Sequence, residues 1–283
     1  MPDSRLPPLH VLLHVPKCAG RTIEVHLAAH MAAEAFFLPR HPGRGGVSKM
    51  PPAAGIRALS GHHLARSIEG RFQGRDIRRS VLLRDPLSFH VSYYNFRMMR
   101  YLASGGRPYS FALNYRALQR DPMAHFLLSR WLEVSPARLL VMPVAEKWRL
   151  LCDALAGFWF VADYRRCDEL IAAVAPALGV PAKAKRVNDE AAWVRTVGWQ
   201  PLKAADLTDE QRRRIPLDNP LDAALHATWA EAGHDAASVR PGPGPVASDF
   251  LAHELVRPYW EARRRLARGW TLRPRGTHVV GVD

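Results

Sequence analysis

A lysine-containing turn near the start of the chain has the residue types of an anion site. Residues 9–24 read LHVLLHVPKCAGRTIE, in which Lys17 follows an apolar run and small residues separate it from a helix pattern. A strand, a tight basic turn and a helix N-terminus often hold a phosphate, because backbone amides point at the anion. The Walker pattern GxxxxGK[ST] is absent, since the lysine precedes the turn. The turn therefore predicts an anion site of another kind.

A second candidate anion site follows the run SVLL at residues 80–83, which predicts a buried strand. In the next residues, Asp85 can cap a helix and Pro86 suits the first turn of that helix. Arg84 can hold a phosphate with two donors, and Ser92 lies on the polar face of the predicted helix. By itself this pattern is weak, because Arg84 could equally pair with Asp85 or with a surface carboxylate.

A candidate proton acceptor stands between these two stretches. The residues Gly61, His62 and His63 come at the end of a short strand-like run over residues 56–61. A histidine at a strand end can act as a general base, because its ordinary pKa lies near working pH. The chain has 13 histidines, so one alone carries little weight. Two anion sites with a lysine and a histidine between them predict group transfer to a hydroxyl.

The elements that must position these residues alternate between strands and helices. Strand patterns cover residues 9–15, 56–61, 80–83 and 158–162. Helix patterns cover residues 22–33, 122–132, 143–155, 163–178, 208–232 and 248–270, with another helix starting at Pro86, and loop composition covers 39–52 and 181–201. Such alternation predicts an α/β fold with a parallel sheet. Ligands bind at the carboxyl ends of parallel strands, so we expect the three stretches to meet there.

The whole chain has a globular composition with a strong positive charge. Its 283 residues include 40 Lys and Arg against 26 Asp and Glu, a formal net charge of +14. This charge favours an anionic partner such as nucleic acid, anionic lipid, an acidic glycan or a phosphorylated cofactor. Three cysteines without a CxxC pair argue against a disulfide framework or a zinc site. Since no run approaches the ~20 apolar residues of a membrane span and no signal-peptide pattern is present, we predict a soluble cytoplasmic protein.

Taken together, the three stretches resemble sulfotransferases that use 3′-phosphoadenosine 5′-phosphosulfate (PAPS). The segment HVPKCAGRTI is similar to their 5′-phosphosulfate loop, and VLLRDPLSFHVSYYNF is similar to their 3′-phosphate segment. The segment ALSGHHL resembles the glycine-histidine of the heparan-sulfate 2-O-sulfotransferase branch, and the order and spacing match that branch. Weaker similarity extends over residues 9–233. The resemblance implies a P-loop-NTPase-like, three-layer α/β fold with a central parallel sheet flanked by helices.

The resemblance also implies roles for individual residues. Lys17 contacts the oxygen that bridges to the sulfate, and His62 is the catalytic base, with His63 as the alternative. Arg84 and Ser92 hold the 3′-phosphate. The 5′-phosphate is held by backbone amides and side chains of the turn, namely Cys18, Ala19, Gly20, Arg21 and Thr22. The histidines of the first strand, His10 and His14, are expected to be bystanders.

The same resemblance implies PAPS as the co-substrate and a hydroxyl of a glycan or glycolipid as the acceptor. No acidic metal cluster stands near the three stretches, so we predict no metal. Two positions depart from the family pattern: Arg21 adds a charge to the turn, and Phe89 stands where an arginine is common. Phe89 leaves open whether the 3′-phosphate is held less tightly or by another arginine.

Three alternatives to a sulfotransferase stay open. A nucleotide kinase would need a lysine after the glycines and a carboxylate for magnesium, and neither stands at the expected place. A basic nucleic-acid-binding protein accounts for the charge but not for the three ordered stretches. A relative that binds PAPS without catalysis is the third. For the sulfotransferase interpretation we predict a single domain with the PAPS site over residues 1–240, followed by a linker, a basic C-terminal helix and a tail over residues 241–283.

Overall fold

The computed structural model describes residues 6–39, 50–185, 187, 198–247 and 250–268. Within these residues, five parallel strands form one sheet in the order second, third, first, fourth, fifth. The strands are β1 Leu9–Leu13, β2 Phe36–Phe37, β3 Ala58–Gly61, β4 Ile77–Leu83 and β5 Phe160–Asp163. Helices flank the sheet, so the predicted α/β class with a central parallel sheet is confirmed. The two-residue strand β2 was not predicted, since two residues are too short to show a period.

The predicted helices occur in the predicted order, with one of them divided, but two short helices over residues 111–117 and 136–141 were not predicted. The helices are α1 Gly20–His30, α2 Pro86–Ala103, α3 Phe111–Ala117, α4 Pro122–Phe126, α5 Pro136–Val141, α6 Val144–Leu155, α7 Cys167–Leu178, α8 Asp209–Asp218, α9 Pro220–Leu225 and α10 Phe250–Ala267. The single helix predicted over residues 208–232 is wrong, because it is divided at Asn219, whose backbone is not helical. Pro220 disfavours a helical residue before it and then starts α9. Much of the two predicted loops lies outside the described residues.

The central strand β1 is buried along its whole length. Its LHVLL sequence forms a continuous run rather than an alternating one, as expected for a parallel strand covered on both faces. β3 and β4 pair with β1 on either side, and the register aligns Leu13 with Gly61 and with Val81. The chain leaves β1 toward one edge of the sheet and leaves β4 toward the other edge. Ligands of open α/β sheets bind at such a reversal point, outside the carboxyl ends of the strands.

A pair of aspartates joins two helices that are distant in sequence. The carboxylate of Asp222 accepts hydrogen bonds from the amides of Met123 and Ala124 at the start of α4, at 3.1 and 2.7 Å. The carboxylate of Asp121 in turn accepts a hydrogen bond from the amide of Asp222, in the first turn of α9, at 3.0 Å. Each aspartate thus satisfies amides of the other's helix.

The C-terminal helix α10 packs against α3 and α5. Its predicted position is confirmed to within a few residues, and the proposed boundary at residue 240 stays a prediction. A second core lies between α2, α3 and α8, with Tyr94, Met98 and Tyr101 among its buried side chains. Among the described residues, no helix is both long and apolar enough to cross a membrane.

Candidate active site at the carboxyl ends of the strands

The turn after β1 has an unusual backbone. Lys17 and Ala19 have φ angles of 66° and 63°, in the left-handed region that costs non-glycine residues about 1–3 kcal/mol each. Ala19 is the N-cap of α1, and no side chain caps this helix. The first amides of a helix need partners from elsewhere. This strained turn therefore presents the start of α1 as a candidate anion site.

Two of the predicted phosphate-binding residues are used by the turn itself. The amide of Cys18 donates to the carbonyl oxygen of Val15 at 3.2 Å, and its buried thiol lies 3.8 Å from the sulfur of Met123. Burial raises the pKa of the Cys18 thiol far above its usual range. Thr22 is also buried, and its amide donates to the carbonyl oxygen of Ala19 at 3.0 Å. Of the five turn residues predicted to bind the 5′-phosphate, this leaves Ala19, Gly20 and Arg21.

The Lys17 side chain extends over α2. Its ammonium nitrogen lies 4.3 Å from the ring centroid of Phe96, a cation–π contact. Phe96 is one helical turn beyond Ser92, which is one turn beyond Ser88, so the three share a face of α2. Half-buried Ser92 thus lies on the helix face that the Lys17 side chain covers. The contact with Phe96 was not predicted from the sequence.

Arg84 connects the end of β4 to this turn. One of its terminal nitrogens donates to the carbonyl oxygen of Lys17 at 3.0 Å, and its Nε donates to Ser88 Oγ at 2.9 Å. Its guanidinium carbon lies 3.9 Å from the ring centroid of Tyr164. Asp85 accepts from the Ser88 amide at 2.9 Å and caps α2 as predicted. Arg84 therefore connects the lysine turn to α2, and its contacts among the described residues are with the Lys17 carbonyl, Ser88 and Tyr164 rather than with the carboxylate expected for the pattern taken alone.

His62 follows β3 and is held by the main chain of β1. Its Nδ1 lies 2.7 Å from the carbonyl oxygen of His14, an atom that can only accept, so Nδ1 carries the proton. In the neutral ring Nε2 is then the proton acceptor. The pKa of His62 is lowered to about 4, mainly by desolvation and secondly by the adjacent His14. The residue as a whole is exposed at the carboxyl end of β3, while its ring packs on that of His14.

His14 is part of this arrangement, against the expectation that it is a bystander. Its ring lies 3.8 Å from that of His62, centroid to centroid, and its Nδ1 is 2.6 Å from Oε1 of buried Glu24 on α1. Ser60 Oγ donates to the same Glu24 oxygen at 3.3 Å. A Cβ on Gly20 would lie 2.0 Å from the His14 ring, so only glycine fits there without movement. This contact was not predicted because it depends on the strand register, which places Leu13 beside Gly61.

The other expected bystander, His10, lies elsewhere. It is buried in β1, with its ring 5.7 Å from that of Trp159 in an edge-to-face contact. Burial, and then the charge of Arg78, lower its pKa to about 4. Phe89 is also buried, and its ring stacks on that of Tyr93, so this position faces the core rather than the lysine turn.

The site is thus composed of elements from three strand ends. The turn after β1, His62 after β3 and Arg84 after β4 are linked by direct contacts through His14 and the carbonyl of Lys17. Met123 contacts both the lysine turn and the end of β4, because its sulfur lies against Cys18 and accepts from the Arg84 amide at 3.4 Å. In the described ranges, no group of three His, Cys, Asp or Glu side chains could hold a metal ion. No family model, curated protein or solved structure matches the chain.

Proposed function

We propose that this protein is a sulfotransferase that moves the sulfuryl group of PAPS to a hydroxyl of a carbohydrate acceptor. The observation that carries the proposal is the convergence of the three candidate stretches. Lys17 and Arg84 meet through a 3.0 Å hydrogen bond, and His62 is bonded to the strand that leads into the same turn. The strand ends that bear them are neighbours in the sheet.

The donor would lie across the reversal point between β1 and β4. The uncapped start of α1 supplies amides for the 5′-phosphate, chiefly at Ala19, Gly20 and Arg21. Ser92 and the donors of Arg84 that are not engaged with Lys17 and Ser88 would hold the 3′-phosphate. This arrangement supports the finer fold assignment, a P-loop-like three-layer domain, which we include in the proposal.

The transfer step would be an in-line displacement. The acceptor hydroxyl oxygen forms a bond to sulfur while the bond between sulfur and the bridging phosphate oxygen breaks. The hydroxyl proton passes to Nε2 of His62, and 3′-phosphoadenosine 5′-phosphate leaves. Lys17 stabilises the charge that develops on the leaving oxygen, an effect that commonly contributes several kcal/mol in enzymes. The protonated His62 then returns its proton to water.

A neutral His62 fits the role of base. Its pKa of about 4 keeps it unprotonated at neutral pH, and the hydrogen bond to the His14 carbonyl fixes which nitrogen accepts. A low pKa weakens a base, so positioning and the low dielectric of the closed complex must contribute as well. General-base catalysis of this kind contributes about 10²–10⁴-fold in rate.

The direct test compares nucleotides and then measures transfer. We expect 3′-phosphoadenosine 5′-phosphate to raise the melting temperature more than ATP or adenosine 5′-phosphosulfate, which lacks the 3′-phosphate. Incubation with PAPS and a panel of mono- and oligosaccharides should yield a sulfated product. An equal response to ATP, with magnesium-dependent hydrolysis, would favour the kinase alternative. Bisphosphate binding without product for any acceptor would favour the non-catalytic relative.

A further inference from the structure

A buried arginine lies on α10, away from the residues discussed so far. Arg264 is only 4% exposed, and its Nε and one terminal nitrogen have no hydrogen-bond partner within the described chain. A buried polar group without a partner costs roughly 1–3 kcal/mol, and a charged one costs more. Buried charges in folded proteins are therefore almost always paired. We therefore expect the buried charge of Arg264 to have a partner.

The groups around Arg264 add positive charge. Arg97 on α2 is close enough to lower the pKa of Arg264, after burial, which is the larger cause. Arg268, one turn along α10, has a buried Nε that likewise lacks a partner among the described residues. Its guanidinium carbon lies 4.4 Å from the ring centroid of Tyr101, whose hydroxyl donates to the Arg268 carbonyl. Tyr109 lies within the field of all three arginines.

The carboxylate that acts on Arg264 among the described residues is engaged elsewhere. Glu261 acts on Arg264 electrostatically, but its own oxygens accept from Arg257 at 2.8 Å and lie 3.7 Å from Arg265. Arg97 has an aromatic neighbour, with its guanidinium carbon 5.3 Å from the ring centroid of Tyr93.

Arg97 and Tyr101 are four residues apart on α2, as Arg264 and Arg268 are near the end of the chain's last described helix, so each pair shares a helix face. The contact of Arg268 with Tyr101 brings the two faces together. Guanidinium groups suit bidentate binding of an oxyanion.

We propose that Arg97, Arg264 and Arg268 form an anion site between α2 and α10 that binds a sulfate, phosphate or carboxylate group. The proposal does not depend on the transferase function. Its residues differ from those of the lysine turn, and Arg97 stands five residues beyond Ser92, roughly 7.5 Å along the axis of α2. Aromatic rings adjoin two of the arginines, because Arg97 lies over Tyr93 and Arg268 over Tyr101.

The test measures the thermal stability of the full chain in sodium sulfate and sodium phosphate, with ionic strength matched by sodium chloride. Sulfate stabilises most proteins by exclusion from their surfaces, so the informative quantity is the difference between variants. We expect millimolar sulfate or phosphate to raise the wild-type melting temperature and to leave Arg264→Met unchanged. The matched control, Arg263→Met, replaces the exposed neighbour of Arg264 and should respond like wild type.

A structural role for Arg264 predicts a different result. If it only packs, Arg264→Met should respond to the anions as wild type does, and this outcome would overturn the proposal. If the site exists, Arg264→Met in chloride should be at least as stable as wild type, because an unpaired buried charge has been removed. Should that variant fail to fold, Arg97→Met, at a half-buried position, must weaken phosphate affinity at least tenfold by calorimetry; an unchanged affinity overturns the proposal equally.

The source of the anionic group is distinguished with three probes on the same variants. The probes are inorganic sulfate, 3′-phosphoadenosine 5′-phosphate and a sulfated disaccharide. A free-ion site predicts loss of the sulfate response alone in Arg264→Met and Arg97→Met. A site for part of a larger ligand predicts that affinity for the bisphosphate or the disaccharide falls in both variants. If none of the three loses affinity in either variant, the proposal is wrong.

Discussion

The imidazole of His62 donates from Nδ1 to the carbonyl oxygen of His14 at 2.7 Å, and the two rings lie 3.8 Å apart. The orientation of the His62 ring is thus set by the main chain directly after the central strand rather than by a carboxylate. A backbone acceptor cannot be removed by substitution of His14. The hydrogen bond that positions the His62 ring therefore does not depend on which side chain stands at residue 14.

We expect His62→Ala to lose about 10²–10⁴-fold of the transfer rate, because the proton acceptor is removed. Affinity for 3′-phosphoadenosine 5′-phosphate should stay within a factor of a few, since His62 contacts only the acceptor in the proposed step. Single-turnover transfer and calorimetric binding measure the two quantities. His63→Ala is the matched control. Full turnover by His62→Ala, with loss in His63→Ala, would assign the base to His63.

Lys17→Met should lower the transfer rate by about 10²–10³-fold, the usual cost of one donor that stabilises developing charge. Methionine keeps most of the length of the side chain and can contact the Phe96 ring through its sulfur, but it removes the charge. The left-handed backbone at residue 17 is equally strained with either side chain. Stopped-time assays with saturating PAPS measure the rate. An unchanged rate would remove Lys17 from the mechanism.

We expect Arg84→Lys to lower both stability and nucleotide affinity, and Ser92→Ala to lower nucleotide affinity alone. A lysine has one nitrogen and cannot occupy both the Nε position beside Ser88 and the terminal position beside the Lys17 carbonyl, so we expect Arg84→Lys to lose about 1–3 kcal/mol of stability as well as nucleotide affinity. Ser92→Ala should weaken the bisphosphate without lowering the melting temperature. It should not change affinity for adenosine 5′-phosphosulfate. Equal loss for both nucleotides would place Ser92 away from the 3′-phosphate.

Gly20→Ala should destabilise the protein by about 1–3 kcal/mol, as overpacking of a close-packed site does. The new Cβ would lie 2.0 Å from the His14 ring, which cannot move without disturbing Glu24 or His62. Chemical denaturation gives the free energy of unfolding. Gly70→Ala is the matched control, because its Cβ would meet nothing within 4 Å. Equal stability of the two variants would contradict the packing described here.

The Asp121–Asp222 pair predicts a pH effect on stability. Burial raises the pKa of Asp121 to about 7, and burial followed by the charge of Asp121 raises that of Asp222. The folded state therefore holds protons that the unfolded state releases near pH 4, so this contribution is fully present below pH 4 and lost as pH rises through 7. Lys147 and Arg120 face Asp121 and limit the effect.

Asp121→Asn isolates this effect, and asparagine tolerates the left-handed backbone at residue 121. We expect the variant to lose less stability than wild type between pH 5 and pH 8. Three histidines titrate in the opposite sense, since their lowered pKa values cost stability as pH falls, but they are common to both proteins. They are buried His10 and His90 and half-buried His125. Parallel stability curves for the two proteins would show that the pair does not titrate in this range.

The sequence was sufficient to predict the sheet class and the three strand ends. The run LHVLL, the cap at Asp85 and the proline at residue 86 act locally, so their pattern specifies a strand and a helix start. It was not sufficient for contacts that depend on register. Whether His14 lies beside His62 depends on which residue of β3 pairs with Leu13, and one residue of slip would reverse the side-chain faces.

The same limit applies to the turn residues. A short motif indicates which backbone atoms lie near a ligand, but it does not indicate which of them are engaged by the protein itself. Cys18 is removed from the predicted cradle by a carbonyl three residues before it and by a methionine 105 residues away. The partnership between Arg84 and the Lys17 carbonyl spans 67 residues and likewise required the fold.

The mutual capping of Asp121 and Asp222 joins segments that are 101 residues apart in the chain. Met123, whose sulfur contacts Cys18 in the lysine turn, lies on α4, the helix whose first amides donate to Asp222. During synthesis, the sheet and the turn emerge long before α9 does. The contacts between α4 and Asp222 therefore form only after residue 222 has been synthesised, and long-range closure of this kind slows folding. We expect the packing beside the lysine turn to be completed in a late folding step.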